Sequence, residues 1–327
     1  MHVTHDDVAD FADRRVNLPS PTAQKYRDQA QSLRERLERH VDAHPDYDLV
    51  KMRNAGSVEK RTSLRVTSDF DVTVYIRAGA EPADETRLGE WLSDRLKEAY
   101  PTLDDDQFVP QTHCVTLTFR GSGLNVDVVP VIYEGEPDDI GYLVGKHSGA
   151  RMKTSVTQHL RFLRARKNGD TALGIAANEH LAQAVRLVKW WVWQHKQRDP
   201  DSFRFKSFLV ELILCRMSDD GVPFDDYPTL LESFFERLLT DRFTSQVAFT
   251  DLCKASDLPA RGTDPIQVLD PVNVGNNVAA RYTVADRDRI LAASQDAYDA
   301  LTEARFATTK GRAVACWRDV LGPQFGA

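Results

Sequence analysis

Apolar residues in the first 45 positions recur at helical spacing. Ser20-Pro21 offers an N-cap serine and a proline at the first helical position. Tyr26, Ala30, Leu33, Leu37 and Val41 then fall on one face, and Pro45 stops the element. The pattern next shifts to short β-branched runs, which predict strands at Leu49–Arg53 and Val72–Ile76. A helix is expected from Asp84 to Tyr100, with Leu88, Trp91, Leu92 and Leu96 inward and Pro101 as its stop. Strands Val115–Phe119 and Asn125–Ile132 are separated by Gly121-Ser122-Gly123, a hairpin-type turn. Beyond residue 154 the periodicity is helical, over 155–166, 179–196, 207–217, 228–239, 285–307 and 313–321. Thr283-x-x-Asp286 forms a capping box for the fifth of these. The expected organisation is an α/β lobe over residues 1–154 and an α-helical lobe over 155–327.

The 327 residues, 42% hydrophobic and 28% charged, suit a soluble globular chain with one large or two ordinary cores. The N-terminus lacks the basic and apolar regions of a signal peptide. No apolar run approaches the ~20 residues that span a bilayer, so a cytoplasmic location is expected. Cys114, Cys215, Cys253 and Cys316 are scattered, with no zinc-site spacing. A net charge of −7 argues against a large nucleic-acid surface. One stretch runs the other way. His147 to Lys167 holds Arg151, Lys153, Arg161, Arg164, Arg166 and Lys167 without a single acid. It reads either as a solvated face or as a cationic edge that gathers triphosphates or an activating ligand.

The chemistry is carried by acids at strand positions. Asp69 and Asp71 open the run Val72–Ile76, and side chains two apart on a strand share a face. Carboxylates held together are hard ligands suited to Mg²⁺. Asp127 interrupts the run Asn125–Ile132, where an acid is costly to bury unless it is paired or ligates a cation. Upstream, Gly56-Ser57 is a small-residue turn whose N–H groups and hydroxyl can close on phosphate oxygens. Three carboxylates can hold two Mg²⁺ ions about 3.5–4 Å apart across a phosphoryl displacement, with Mn²⁺ as a substitute. The alternative is that Asp69 and Asp71 cap a turn and Asp127 pairs with an arginine.

The spacing Gly56-Ser57-x-x-Lys60-x-Thr62-x-Leu64-Arg65-x-x-Ser68-Asp69-x-Asp71, followed by Val126-Asp127-Val128-Val129-Pro130, resembles the DNA polymerase β-like nucleotidyltransferases. Within them it is similar to the branch of 2′-5′-oligoadenylate synthase, cyclic GMP–AMP synthase and the bacterial CD-NTases, the cyclic-oligonucleotide synthases. Arg186-Leu187-Val188-Lys189-Trp190-Trp191 is similar to the family helix whose lysine contacts the donor triphosphate. From the pattern alone, Lys189 belongs to a narrow polar track with Gln183 and Arg186, and a solvated stripe is the competing reading. Ser207-Phe208 resembles the segment where a serine touches phosphate and the next aromatic stacks on a base. The family often has tyrosine there, so Phe208 lacks a hydroxyl, and core packing is its other reading. Asp270 to Val278 is similar to a C-terminal element read as structural.

The resemblance implies an α+β fold. A polymerase β-like lobe with a mixed β-sheet precedes an α-helical lobe, and the active-site cleft lies between them. It implies Asp69, Asp71 and Asp127 as metal-binding catalytic residues, and Gly56, Ser57, Lys60, Thr62, Lys189, Ser207 and Phe208 as nucleotide-binding ones. The expected activity is template-independent condensation of nucleoside triphosphates, ATP among them, into a cyclic di- or trinucleotide messenger with release of pyrophosphate, in anti-phage defence. An activating protein or ligand and a downstream effector are the implied partners. Two alternatives stay open. One is a nucleotidyltransferase that makes linear oligoadenylate or modifies a tRNA, toxin or antibiotic. The other is a non-catalytic nucleotide- or RNA-binding protein.

Overall fold

A computed structural model of the chain describes residues 2–44, 48–66 and 69–326. Pro45, the expected helix stop, and Ser68 of the motif lie outside the described residues. The chain forms two compact units. One is Leu18–Arg161, and the other joins Met1–Asn17 to Phe162–Ala327.

Periodicity does not predict the first element. It is α1 (His5–Phe11), started by a Thr4/Asp7 capping box and followed by a single π turn, Ala12–Val16. Thr4-x-x-Asp7 is the same signature read at Thr283, but only Val8 and Phe11 of α1 are buried, too few for a periodic signal.

The Leu18–Arg161 unit contains α2 (Ser20–Ala43), β1 (Leu49–Ala55), α3 (Gly56–Lys60) and β2 (Asp69–Arg77). The Gly56-Ser57 turn is thus the first turn of a short helix. The helix expected over Asp84–Tyr100 is divided. Asp84 caps a 3₁₀ turn by accepting from the Thr86 N–H at 3.1 Å, and α4 (Leu88–Ala99) follows. Next come β3 (Phe108–Pro110), β4 (Val115–Phe119), β5 (Leu124–Tyr133), β6 (Gly141–Val144) and β7 (Arg151–Thr154). β3, β6 and β7 span only three or four residues, below the length at which alternation can be read.

Among the described residues these strands make one seven-stranded mixed sheet in the order β1-β2-β5-β4-β3, with β6 on β5 and β7 on β6. β2 and β5 run parallel, and the other pairs are antiparallel. Phe70, Val72 and Val74 of β2, Val115 and Leu117 of β4, and Val126 and Val128 of β5 point to one face. There they pack under Ala30, Leu33 and Leu37 of α2 and Leu92, Leu96 and Ala99 of α4. Strand residues alternate, so Asp69, Asp71 and Asp127 are left on the face turned away from those helices.

The other unit is helical. α5 (Val156–Asn168) crosses into it at Phe162 and is followed by α6 (Leu181–Arg198), α7 (Ser207–Asp219), α8 (Tyr227–Asp241), α9 (Val284–Phe306) and α10 (Lys310–Leu321). α6 is buried nearly all round. Trp191 meets Phe203, Phe205 and Phe235 edge-on, with ring centroids 4.9–6.4 Å apart. Such contacts add roughly 0.5–1.5 kcal/mol each beyond burial. Asp270, expected to be structural, turns its own loop by accepting from the Val272 N–H at 2.9 Å. No helix among the described residues is long and apolar enough to cross a membrane.

Candidate active site

Register brings the three acids together. Asp71 on β2 lies opposite Asp127 on β5 in a parallel pair, and Asp69 lies opposite Asn125. Asp71 also lies opposite Ala55, the last residue of β1, so α3 begins beside it. Gly56 opens that helix at φ +68°, in the left-handed region. A Cβ built there would stand 1.6 Å from Asp71 Oδ2, 2.4 Å from its Cγ and 2.9 Å from its Cβ. The Asp71 carboxylate therefore sits against the Gly56 backbone, in space that only glycine leaves open.

Ser57 follows inside the first turn, its Oγ 2.8 Å from Ser63 Oγ. The Thr62 N–H donates to Ser57 O at 2.8 Å, and Arg61 closes the helix at φ 60°. Lys60 is half-buried on α3, and Thr62 is buried just after it. Gly56 and the acids of β2 and β5 thus adjoin, and Ser57, Lys60 and Thr62 lie on the segment that Gly56 begins.

The acids differ in surroundings. Asp127 Oδ1 accepts a hydrogen bond from Thr116 Oγ1 at 2.6 Å. Burial raises the pKa of Asp69, the nearby Asp127 charge raises it further, and a hydrogen bond from Asn125 opposes both. The Cys114 thiol is pushed up to about 12 by burial, with the charges of Asp127 and Asp71 adding to it. This is a negative region in which the Asp127 charge opposes ionisation of Asp69. Among the described residues no three His, Cys, Asp or Glu side chains already converge on one point, so the acids line a face rather than close a cage. The donor set fits a hard divalent cation. It is all oxygen, on adjoining strands, with an Asp69–Asp127 repulsion that a cation would offset.

Lys189, Ser207 and Phe208 belong to the helical unit. Lys189 is 7% exposed on α6, which excludes the solvated-stripe reading. The rest of its polar track is buried or half-buried and bound to the N-terminal segment. Arg186 Nε donates to Asn17 Oδ1 at 2.8 Å, and Gln183 exchanges two amide hydrogen bonds with Asn17, at 3.0 and 3.1 Å. Ser207 is exposed in the first turn of α7, and Phe208 is half-buried rather than part of the core.

Cations gather beside Ser207. Lys206 has its pKa lowered first by burial, then by the charges of Arg204 and Arg281. Its N–H donates to the Tyr282 hydroxyl at 2.8 Å, while the Arg204 guanidinium lies 4.9 Å from the centre of the Tyr282 ring. Sequence reasoning missed this cluster because Arg281 is 77 positions from Arg204.

Three arginines of the acid-free run 147–167 are paired with acids from elsewhere in the chain. Arg151 pairs with Glu85, Glu81 and Glu134 at 2.7–3.1 Å, and Arg161 pairs with Asp138 at 3.0 Å. Arg166 is 1% exposed and held at 2.7 Å by both Asp219 and Asp251. Arg166 therefore serves the core, while Arg151 and Arg161, like Lys153 and Arg164, lie exposed, as the solvated-face reading expects, with Arg151 and Arg161 paired to acids.

A mixed sheet covered by helices on one face, with paired acids and a glycine-headed helix on the other, defines a polymerase β-like nucleotidyltransferase unit. No protein-family profile matches the chain. It is 44% identical over 324 residues to the cyclic AMP-AMP-AMP synthase of Escherichia coli strain MS 115-1, covering 99% of this chain and 98% of that protein. The solved structure of E. coli MS115-1 CdnC with ATP superposes with a TM-score of 0.89 at 42% identity, over 100% of both chains. The complex of that CdnC with HORMA-deltaN gives 0.88 at 43% identity, over 100% of this chain and 99% of the other. The chain belongs to the CD-NTase family of bacterial anti-phage (CBASS) cyclic-oligonucleotide synthases. It is a nucleotidyltransferase that condenses nucleoside triphosphates into a cyclic second messenger.

Proposed function

We propose that the chain links ATP into a ring of three adenylates, and that a HORMA-type protein acts as its partner. The product is suggested by the name of the 44% identical relative, and the partner by the complex of the 43% identical CdnC. The observation that carries the catalytic reading is the seating of Asp71 against Gly56, in register with Asp127.

In this reading the Gly56 and Ser57 backbone and the Ser57 hydroxyl bind triphosphate oxygens, with Lys60 and Thr62 supporting the same segment. Lys189 and Ser207 add phosphate contacts, and Phe208 offers a ring face to a base. Asp69, Asp71 and Asp127 would hold two Mg²⁺ ions, which supply charge neutralisation and a lowered pKa for the attacking ribose hydroxyl. The hydroxyl oxygen attacks the α-phosphorus of the donor, the α–β bridging bond breaks and pyrophosphate leaves. Two such steps extend the chain, and a third closes it. The protein contributes positioning and electrostatics, which dominate phosphoryl transfer.

The test is incubation with ATP alone, and with all four ribonucleoside triphosphates, in Mg²⁺, with and without a HORMA-type partner. Products are read by mass spectrometry before and after phosphatase. A phosphatase-resistant species with the mass of three adenylates is expected. A product that phosphatase trims to a nucleoside end, or synthesis that requires added duplex RNA, would exclude the cyclic reading.

A further inference from the structure

Two of the three carboxylates are held by a strand that carries none of them. Along β4, Val115 and Leu117 point into the core. Thr116 and Thr118 point to the opposite face, where the register sets them against Asp127 and Asn125. Thr116 Oγ1 donates to Asp127 Oδ1 at 2.6 Å, and Thr118 Oγ1 donates to Asn125 Oδ1 at 3.0 Å. With its carbonyl oxygen engaged by Thr118, Asn125 has its NH₂ to offer elsewhere. It lies in parallel register with Asp69, to which its side chain is hydrogen-bonded. One strand thus supplies two rungs of orientation, Thr116 to Asp127 and Thr118 through Asn125 to Asp69.

We infer that β4 is a positioning strand for the metal site, and that Thr116 makes Asp127 a one-oxygen ligand, biasing the site toward Mg²⁺ or Mn²⁺ and against Ca²⁺. The inference rests on the metal-binding reading of the three acids. Bidentate chelation needs both carboxylate oxygens turned equally toward the ion. The short bond from Thr116 fixes the rotation of the group and occupies one lone pair of Oδ1, which makes Oδ2 the less encumbered oxygen. Mg²⁺ demands compact octahedral coordination, whereas Ca²⁺ takes six to eight oxygens and accepts carboxylates bidentate. Hydrogen bonds behind a metal ligand change metal affinity by about 10–100-fold when removed.

The experiment measures Mn²⁺ binding to the full chain with a non-hydrolysable ATP analogue. The paramagnetic resonance signal of the free ion is followed, with Mg²⁺ or Ca²⁺ as competitor. Thr116→Val keeps the side-chain shape and suits a strand, but cannot donate. It should shift the ratio of Ca²⁺ to Mg²⁺ competition toward Ca²⁺ by about tenfold or more. Thr116→Ser retains the donor and should keep the wild-type ratio. An unchanged ratio in Thr116→Val, or an equal shift in Thr116→Ser, overturns the inference. Asp127→Asn separates the two levels. If it leaves Mn²⁺ binding untouched, the metal-binding reading itself fails. If it weakens binding while Thr116→Val leaves the ratio alone, only the inference fails.

Discussion

Replacing Gly56 by alanine tests the geometry of the site without touching any charged group. Two penalties are involved, and they separate. The first is backbone strain: an L-residue at φ +68° costs about 1–2 kcal/mol. The second is displacement. The new Cβ would stand 1.6 Å from Asp71 Oδ2 and 2.9 Å from Asp71 Cβ, where ordinary contact begins at 3.4 Å. Rotating the carboxylate clears the first contact but not the second, so the start of α3 and β2 must move apart. A misplacement of about 1 Å at a reacting centre costs on the order of 10²-fold in rate. Gly123 provides the control, because it has φ +70° and nothing within 4 Å of a built Cβ. Both alanine variants should melt a few degrees lower, as expected for ~1–2 kcal/mol. Only Gly56→Ala should lose at least ~10² in pyrophosphate release at saturating ATP and Mg²⁺. Equal activity in the two variants would refute the claim that Gly56 seats Asp71.

Asp71→Asn and Asp127→Asn should each lower turnover by at least ~10³-fold in the same assay while remaining folded, since each removes charge where charge neutralisation dominates. Lys189→Ala should raise the apparent KM for ATP more than it lowers kcat if its contact is made in the ground state, and steady-state kinetics separate the two. Asp139 gives a pH prediction. Burial would raise its pKa, but hydrogen bonds from Lys51, Thr157 and Arg53 hold it down to about 2, from 3.8. A depressed folded-state pKa contributes stability that is present above pH 3.8 and is lost as the pH falls through about 2. Asp139→Asn should therefore cost about 2 kcal/mol at neutral pH, with the two denaturation curves converging near pH 2. Arg151→Gln should lower the melting temperature and leave the KM for ATP unchanged, because its guanidinium is already spent on Glu81, Glu85 and Glu134.

The fold was most legible where burial is one-sided. α2 shows Ala30, Leu33 and Leu37 at helical spacing because one stripe meets the sheet, but it starts one residue earlier than expected: Pro19 is the N-cap, and Ser20 is already helical and makes no capping bond. The β-branched run predicts a strand from Val72, yet β2 begins at Asp69. Its first three residues alternate acid, phenylalanine, acid, and only Phe70 is buried among them. Two acids in three residues conceal a strand whose ladder is set by the partner β5, a long-range pairing that no local pattern contains. The same holds for Thr116 and Thr118. Their alternation with Val115 and Leu117 was visible, but a threonine facing outward from a strand is ordinary until the register sets it against an acid.

Charge misled more than hydrophobicity did. A run of basic residues in sequence says how many cations a segment carries, not how many remain unpaired. Folding brings Glu81, Glu85 and Glu134 to Arg151 from 70, 66 and 17 positions away, and Asp219 and Asp251 to Arg166 from 53 and 85. For Arg166, which is 1% exposed, a guanidinium taken out of water needs compensation, and a second carboxylate supplies more of it than one can. The cluster at Ser207 has the opposite history, since Arg204, Lys206 and Arg281 are unremarkable where they stand in the chain. Tyr282 accepts from the Lys206 backbone N–H and lies against Arg204, and the pKa of Lys206 is lowered first by burial and then by the charges of Arg204 and Arg281. Like charges gathered this way make a local positive potential, in which a polyanion would be stabilised. The cations that folding gathers around the start of α7 are therefore not the ones the sequence strings together.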